Sequence, residues 1–294
     1  MRLAVIGKMG QLARAIAARH EDAQLYSRQD CDLSGNPNDI YDFVKNIPDC
    51  DALIIAAAYT AVDAAETDQD TAFAVNAFAP EAIAKACKVR GIPLVHVSTD
   101  YVFQGHGTSP YKTGDALAPQ SVYGASKAAG EKYVLAAYDN AAILRTSWVF
   151  DGTGKNFFTT MLKLAQTRDA LTVVADQIGR PTYAGHLATA CIEVARKLTK
   201  HPQNSSFRGL YHVSGSGEPI SWADFSRAIF TRADKTTTVS DIPSTDYPTP
   251  AARPPYSVLN ISRFEDTLYP LPHWKDGLEE AYKEWVGAQN NHET

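Results

Sequence analysis

Leu3-Ala-Val-Ile-Gly7-Lys-Met-Gly10-Gln-Leu-Ala13 is the stretch that decides the fold. Its four apolar residues, Leu3 to Ile6, read as a buried strand. From residue 11 to residue 19 the apolar side chains recur at helical spacing through Leu12 and Ile16. Between strand and helix the spacing is Gly-x-x-Gly-x-x-Ala. In such a turn, glycines permit a tight bend and let backbone approach a pyrophosphate closely. The unpaired N–H groups opening the helix would then face the phosphates. Ala13 stands where a third glycine would serve helix–strand packing. Lys8 directly follows the first glycine and no Gly-Lys-Ser/Thr run occurs there, which excludes a Walker-type phosphate loop.

Working outward, strand-like and helix-like segments alternate. Strands are expected at 23–27, 52–58, 93–97 and 141–148, with an alanine-rich helix over 72–90 that Gly91 stops and a further helix over 121–138. This alternation demands an α/β fold with a doubly wound parallel sheet, and the glycine turn after its first strand makes it Rossmann-like. At the end of the second strand stands Arg28, where an acidic residue would grip a ribose 2′-hydroxyl. An arginine there accommodates a 2′-phosphate, or is simply a solvated loop residue. Ala56-Ala-Ala at the end of the third strand offers small side chains against which a flat cofactor could lie. Alanines also suit ordinary tight packing.

The chemistry is expected between Ser98-Thr-Asp-Tyr-Val-Phe103 and Ser121-Val-Tyr123-Gly-Ala-Ser-Lys127. The first is an apolar strand ending in hydroxyls, and the second opens a helix. Tyr123 and Lys127 are four apart and so share one helix face. A lysine ammonium near a phenol favours phenolate, lowering a pKa of about 10. A tyrosine tuned in this way can exchange a proton with a carbonyl oxygen near neutral pH, while Thr99 holds that carbonyl. The glycine- and proline-bearing loop 105–119 reads as a surface loop or a flap over this site.

This arrangement resembles the short-chain dehydrogenase/reductase superfamily, with Thr99, Tyr123 and Lys127 on its hydroxyl, tyrosine and lysine positions. The wording of Gly7-Lys-Met-Gly-Gln11, Ala56-Ala-Ala-Tyr-Thr-Ala-Val-Asp63, Ser98-Thr-Asp-Tyr-Val-Phe103, Arg145-Thr-Ser-Trp148, Asp176-Gln-Ile-Gly-Arg-Pro-Thr182 and Tyr247-Pro-Thr-Pro250 is similar to the dTDP-4-dehydrorhamnose reductase family, in the family's order and over nearly the whole chain. The resemblance implies NAD(P)H-dependent reduction of a dTDP-4-dehydro sugar, with NADPH as cofactor and NADH also accepted. It implies cofactor contacts at Gly7, Met9, Gly10, Gln11, Leu12, Arg28, Asp32, Leu33, Ala57, Ala58, Tyr59 and Thr60, besides Tyr123 and Lys127. Substrate contacts are implied at Thr99, Asp100 and Trp148, the indole serving as a stacking platform rather than as core. Some family members dimerise through magnesium held partly by a glutamate on the first helix. Here that position is Ala15, so no metal site is expected, and the chain is expected to be a monomer or a weak homodimer. A nucleotide-sugar epimerase or another 4-ketoreductase would share Thr99, Tyr123 and Lys127. A non-catalytic dinucleotide-binding homologue, like the regulatory subunit of methionine adenosyltransferase, is the alternative outside enzymes.

The remaining composition fits this reading. At 294 residues the chain can bury a large core, and 45% hydrophobic with 21% charged residues is ordinary for a globular protein. A net charge of −5 disfavours nucleic acid or an anionic membrane as partner. Cys31, Cys50, Cys87 and Cys191 are scattered, with neither zinc-ligand nor disulfide spacing, and a reducing cytoplasm is expected. The start at a strand leaves no room for a signal peptide. Residues 1–150 are expected to form the NAD(P)-binding domain, with later returns to it, and 151–294 mainly a smaller substrate lobe. In that lobe, helices are expected over 156–166 and 184–197 and strands over 171–174 and 209–213. Eight prolines between Pro219 and Pro272 suggest irregular structure from residue 218 onward, ending in a fraying tail over 288–294.

Overall fold

A computed structural model describes residues 1–290. Its centre is a six-stranded, wholly parallel sheet: β1 (Leu3–Ile6), β2 (Gln24–Tyr26), β3 (Ala52–Ile55), β4 (Leu94–Thr99), β5 (Ala141–Thr146) and a late strand, Gly209–His212, at the edge beyond β5. The spatial order runs β2-β1-β3-β4-β5 and then the late strand. All four residues of β1 and of β3 are buried, as expected where helices cover both faces. One face is packed by α1 (Gln11–Ala17) and a later helix, Ala184–Lys200, whose Leu187, Cys191, Val194 and Leu198 meet Leu3, Val5 and Ile54. The other is packed by α2 (Pro37–Asn46) and the helix Ala79–Arg90, through Ile40, Val44, Ile83 and Cys87.

The order reverses between β1 and β3, because the chain first adds β2 on one side of β1 and then crosses to the other. Open α/β sheets bind ligands in the crevice outside the strand ends at such a point. The glycine turn after β1 and the alanines after β3 both lie there.

Two expectations change. The 72–90 helix is not one regular rod. A short α3 (Val62–Ala65) precedes it, and the span itself takes in the end of α4 (Gln69–Phe73), a π-helical turn, Ala74–Phe78, and then α5 (Ala79–Arg90). The wider turn carries Asn76, which is fully buried. Its amide donates to the Tyr59 carbonyl at 3.1 Å and to Ser126 Oγ at 3.0 Å, and its oxygen accepts the Tyr59 N–H at 2.9 Å. Asn76 therefore ties the loop after β3 to the helix α6 (Val122–Ala137), as a structural anchor.

The region beyond residue 218 is also more regular than expected. After β6 (Val149–Phe150), α7 (Phe157–Leu164), β7 (Ala170–Val174), β8 (Ile178–Gly179), β9 (Thr182–Tyr183), α8 (Ala184–Lys200) and β10 (Gly209–His212) come β11 (Ile220–Ser221), α9 (Trp222–Arg232), β12 (Thr238–Ile242), α10 (Ser262–Thr267) and α11 (Trp274–Asn290). Ser221 opens α9 with a capping box, its hydroxyl taking the Asp224 N–H while the Asp224 carboxylate takes the Ser221 N–H. A second core forms here from Phe150, Phe158, Tyr183, Phe225, Phe230, Trp274 and Leu278. Helix α11 continues through Asn290, into the stretch expected to fray, and 291–294 lie outside the described residues. No described helix is long and apolar enough to cross a membrane.

Candidate active site

A cleft of about 850 Å³ opens along the carboxyl ends of β1, β3, β4 and β5 and reaches the α7–α9 lobe. Gly7, Met9, Gly10, Gln11, Leu12, Ala57, Ala58 and Thr60 line one end. Gly7 has φ +121°, and a side chain there would stand 3.0 Å from the Ala57 nitrogen. Only glycine fits so close to the neighbouring strand end. Around Gly10, by contrast, a Cβ would meet nothing within 4 Å, and no side chain caps the start of α1. The Gln11 side-chain oxygen is buried without a partner. Open space, bare helix-end N–H groups and an unsatisfied polar atom together fit a bound dinucleotide.

Lys8, Ser27 and Arg28 line the mouth of this end. The Arg28 side chain is 79% exposed and bonded to Asp32 and Ser34, each at 3.2 Å, exposed contacts weak enough to be exchanged for an anion. Arg14 and Lys155 line the cleft as well, and Arg14 is bonded to Asp151 at 2.7 Å. The chain as a whole is acidic, yet these cations converge on one groove suited to phosphates.

Three implied contacts do not reach the cleft. Asp32 is occupied by Ser34 and Arg28, and Leu33 is buried in the core with Ile40 and Val44. Tyr59 points its hydroxyl to Asp68 at 3.0 Å. The backbone of Tyr59 is held by Asn76, between the lining residues Ala58 and Thr60.

Thr99, Asp100, Tyr123 and Lys127 come together at the centre. Thr99 ends β4, and its hydroxyl donates to Asp100 Oδ1 at 2.9 Å. Burial pushes the Asp100 carboxyl up to about 6, against the pull of hydrogen bonds from Ser257 and Thr99. Tyr123 lies in the first turn of α6. Ser121 caps that turn by accepting the Gly124 N–H at 3.2 Å, and Glu66 accepts the Val122 N–H at 2.9 Å. The missing side chain of Gly124 lets this turn press on the Tyr101 carbonyl, since a Cβ would stand 2.2 Å from that oxygen.

The electrostatics differ from the simple expectation that Lys127 lowers the Tyr123 pKa. Burial pushes the phenol up, the Thr99 hydroxyl pulls it down, and Asp100 and Tyr101 push it up. Lys127 is not among the groups that shift it. The Lys127 ammonium instead donates to the Val97 carbonyl at 2.7 Å and lies 3.5 Å from His96 Nε2. Lys127 is itself lowered to about 8 by burial, which Glu131 opposes. Without ligands, then, Tyr123 is a firmly protonated phenol.

Trp148 follows β5 in a left-handed conformation, φ +49°, that a bulky residue adopts only when its surroundings enforce it. Its strand pairs with β4 in the register Thr99↔Thr146, which returns the indole to the Thr99 side of the cleft. It does not stand alone. Trp222, the first residue of α9, stacks on it with centroids 3.5 Å apart and 9° between planes, and Phe157 leans on Trp222 at 4.5 Å. Trp222 and Phe157 line the cleft and were not anticipated, since nothing in their local sequence marks them as neighbours of Trp148. Among the described residues, no group of three or more His, Cys, Asp or Glu side chains could hold a metal ion.

Comparison with known proteins agrees with this geometry. The chain is 43% identical over 284 residues to a dTDP-4-dehydrorhamnose reductase of Sinorhizobium fredii, covering 94% of this chain and 95% of the relative. It is 38% identical over 297 residues to the enzyme of the same name from Escherichia coli, covering 97% and 98%. A crystal structure of dTDP-4-dehydrorhamnose reductase from Bacillus anthracis in complex with NADP superposes with a TM-score of 0.87 at 34% identity, covering 96% of this chain and 99% of that one. The family described as the RmlD substrate binding domain matches residues 1–286, and the chain belongs to that family.

Proposed function

We propose that the chain catalyses the NADPH-dependent reduction of dTDP-4-dehydro-β-L-rhamnose to dTDP-β-L-rhamnose, the last step in making a rhamnose donor. The observation that carries this reading is the meeting of Thr99, Tyr123 and Lys127 at the end of β4, in one cleft with the open glycine turn. Residues 1–150, with α8 and β10, would form the cofactor-binding part, and the rest of 151–290 mainly the lobe that holds the sugar nucleotide. The relatives' names and the NADP complex of the Bacillus anthracis protein support the same substrate and cofactor.

The reduced nicotinamide cofactor, when bound, supplies the hydride for carbon 4 of the sugar. Gly7, Gly10, Gln11 and Leu12 would hold its pyrophosphate end, and Lys8, Ser27 and Arg28 a 2′-phosphate. Thr99 orients the ketone oxygen by a hydrogen bond. Tyr123 delivers the proton to that oxygen, and burial keeps its phenol protonated until it is needed. A sugar alkoxide is a stronger base than an ordinary phenolate; burial narrows that gap by raising the phenol, so the transfer depends on stabilising the phenolate that forms. It leaves negative charge on Tyr123, and Lys127, one helical turn away, is the cation placed to stabilise it. The aromatic wall of Trp148, Trp222 and Phe157 packs the deoxysugar and keeps water from the carbonyl. The direct test follows NADPH absorbance with a panel of 4-keto-sugar nucleotides. Turnover is expected with the dTDP-4-dehydro-β-L-rhamnose substrate, and turnover only with other members of the panel would refute the substrate assignment.

A further inference from the structure

Behind the cleft lies a row of buried ionisable side chains that the reaction as described does not use. His96 is fully buried, Arg145 is 1% exposed and Glu131 is 2% exposed, the same as Lys127. Glu131 follows Lys127 by one turn of α6, on the same face. Its carboxylate accepts from Arg145 Nε at 2.9 Å and from Nη2 at 2.6 Å, a two-pronged pairing that leaves it little freedom. Arg145, on β5, is held in turn by the Thr113 carbonyl at 3.2 Å and by the Phe103 ring, 5.0 Å from its guanidinium carbon. On the far side of Lys127, His96 cannot share the positive charge, because burial and Lys127 hold it well below its usual pKa. His212, 3.4 Å from Arg145, is pushed down to about 3 by burial and by that arginine. Two buried cations, Lys127 and Arg145, therefore flank one carboxylate, that of Glu131, which Arg145 already holds.

A buried ion pair contributes little net stability compared with apolar packing of the same shape. What distinguishes this one is its position, one turn of α6 beyond Lys127 and on the same face. We propose that Glu131, clamped by Arg145, is a positioning residue that keeps Lys127 charged and aimed along β4 into the cleft.

The proposal rests on the reading of Lys127 given above. The groups around Lys127 are few. Its own helix presents Glu131 and Tyr123, β4 presents His96 and at its end Asp100, β5 presents Arg145, and the turn after β4 presents Tyr101. The segments packed behind α6 place Asn76 against Ser126; of their carboxylates Asp63 is engaged by Arg253, Glu66 by the Val122 N–H, Asp68 by Tyr59 and Glu81 by Lys85, while Asp70 of α4 is exposed to solvent. Burial drives Lys127 toward its neutral form, and Glu131 is the charge that opposes this.

The test is the pH dependence of kcat. In the unaltered protein, kcat should fall as pH rises through about 8, where Lys127 loses its proton. Glu131→Gln keeps the shape and an acceptor for Arg145 but removes the charge. Its alkaline limb should move down by about one pH unit or more, the usual effect of losing an adjacent opposite charge. Activity should recover toward that of the unaltered protein as the pH is lowered. Glu131→Asp, which keeps the charge, should restore the limb. Because Glu131→Gln strands the buried Arg145 guanidinium, the double variant Glu131→Gln/Arg145→Gln, which removes both charges of the pair, carries the same test if the single variant does not fold. Its limb should lie below that of the unaltered protein, since Glu131 is the charge that opposes the neutralisation of Lys127. Variants that lose melting temperature yet keep the alkaline limb in place would overturn the proposal and leave a purely structural pair. Full activity in Lys127→Ala would instead overturn the reading of Lys127 itself, so the two failures are distinguishable.

Discussion

Gly124→Ala is the smallest perturbation that should disable the site without touching a reacting group. Gly124 lies between Tyr123 and Lys127 on α6, and the Tyr101 carbonyl presses directly on it. A Cβ built there meets that oxygen at 2.2 Å, the Tyr101 carbonyl carbon at 3.0 Å and Pro119 Cβ at 3.0 Å. Contacts under 3.0 Å are not sustained, so the first turn of α6 must retreat from the β4 end by about 0.8 Å or more. The obstacle is backbone, which cannot swing aside as a flexible side chain would. Overpacking of this kind typically costs about 1–3 kcal/mol of stability. The larger effect falls on geometry, because the retreat carries Tyr123 and Lys127 away from Thr99 together. A misplacement of about 1 Å in a reacting group can cost on the order of a hundredfold in rate. Gly124→Ala should therefore remain folded, with a melting temperature a few degrees lower, and lose about a hundredfold in kcat. Steady-state NADPH oxidation and a thermal melt on one preparation measure both. An alanine variant with unaltered kcat would refute the argument that this contact sets the Tyr123–Thr99 spacing.

Two further substitutions probe the ends of the cleft. Trp148→Ala removes a stacked partner of Trp222, an aromatic pair worth about 0.5–1.5 kcal/mol beyond area burial. It should raise KM for the sugar nucleotide and lower kcat with cofactor affinity unchanged, and joint loss of melting temperature and of both ligands' binding would mean that the indole is core. Arg28→Ala should raise KM for NADPH by about tenfold, the scale of one charge-assisted hydrogen bond, while leaving KM for NADH in place. An equal change for both cofactors would make the arginine a bystander.

Much of the fold was legible because local chemistry and global topology agree. The Gly7-to-Ala13 spacing sits where the backbone needs a positive φ, and the apolar runs at β1, β3, β4 and β5 are strands buried on both faces. The π turn at Ala74–Phe78 was not legible, since one extra residue in an alanine-rich helix leaves the apolar pattern nearly unchanged. Regularity beyond residue 218 was hidden by counting prolines over too long a window. Pro243 to Pro255 and Pro270 to Pro272 lie between helices, and α9 and α11 are free of proline. At the site, hydroxyl, phenol and ammonium were readable from strand-end position and four-residue spacing. Which way Leu33 or Tyr59 points was not, because a motif places backbone and tertiary packing turns the side chain. The covering of Trp148 by Trp222 joins residues 74 positions apart in the chain and had no local sign.

The central claim is that Tyr123 gives the proton. Tyr123→Phe removes one hydroxyl from the cleft wall and leaves the glycine turn, Arg28 and Lys127 in place. The measurement is NADPH oxidation with dTDP-4-dehydro-β-L-rhamnose by this variant, alongside NADPH affinity by titration. The account predicts a loss of about a hundred- to ten-thousand-fold in kcat, the worth of a general acid, with cofactor affinity nearly unchanged. Turnover within a few-fold of the unaltered enzyme would contradict it.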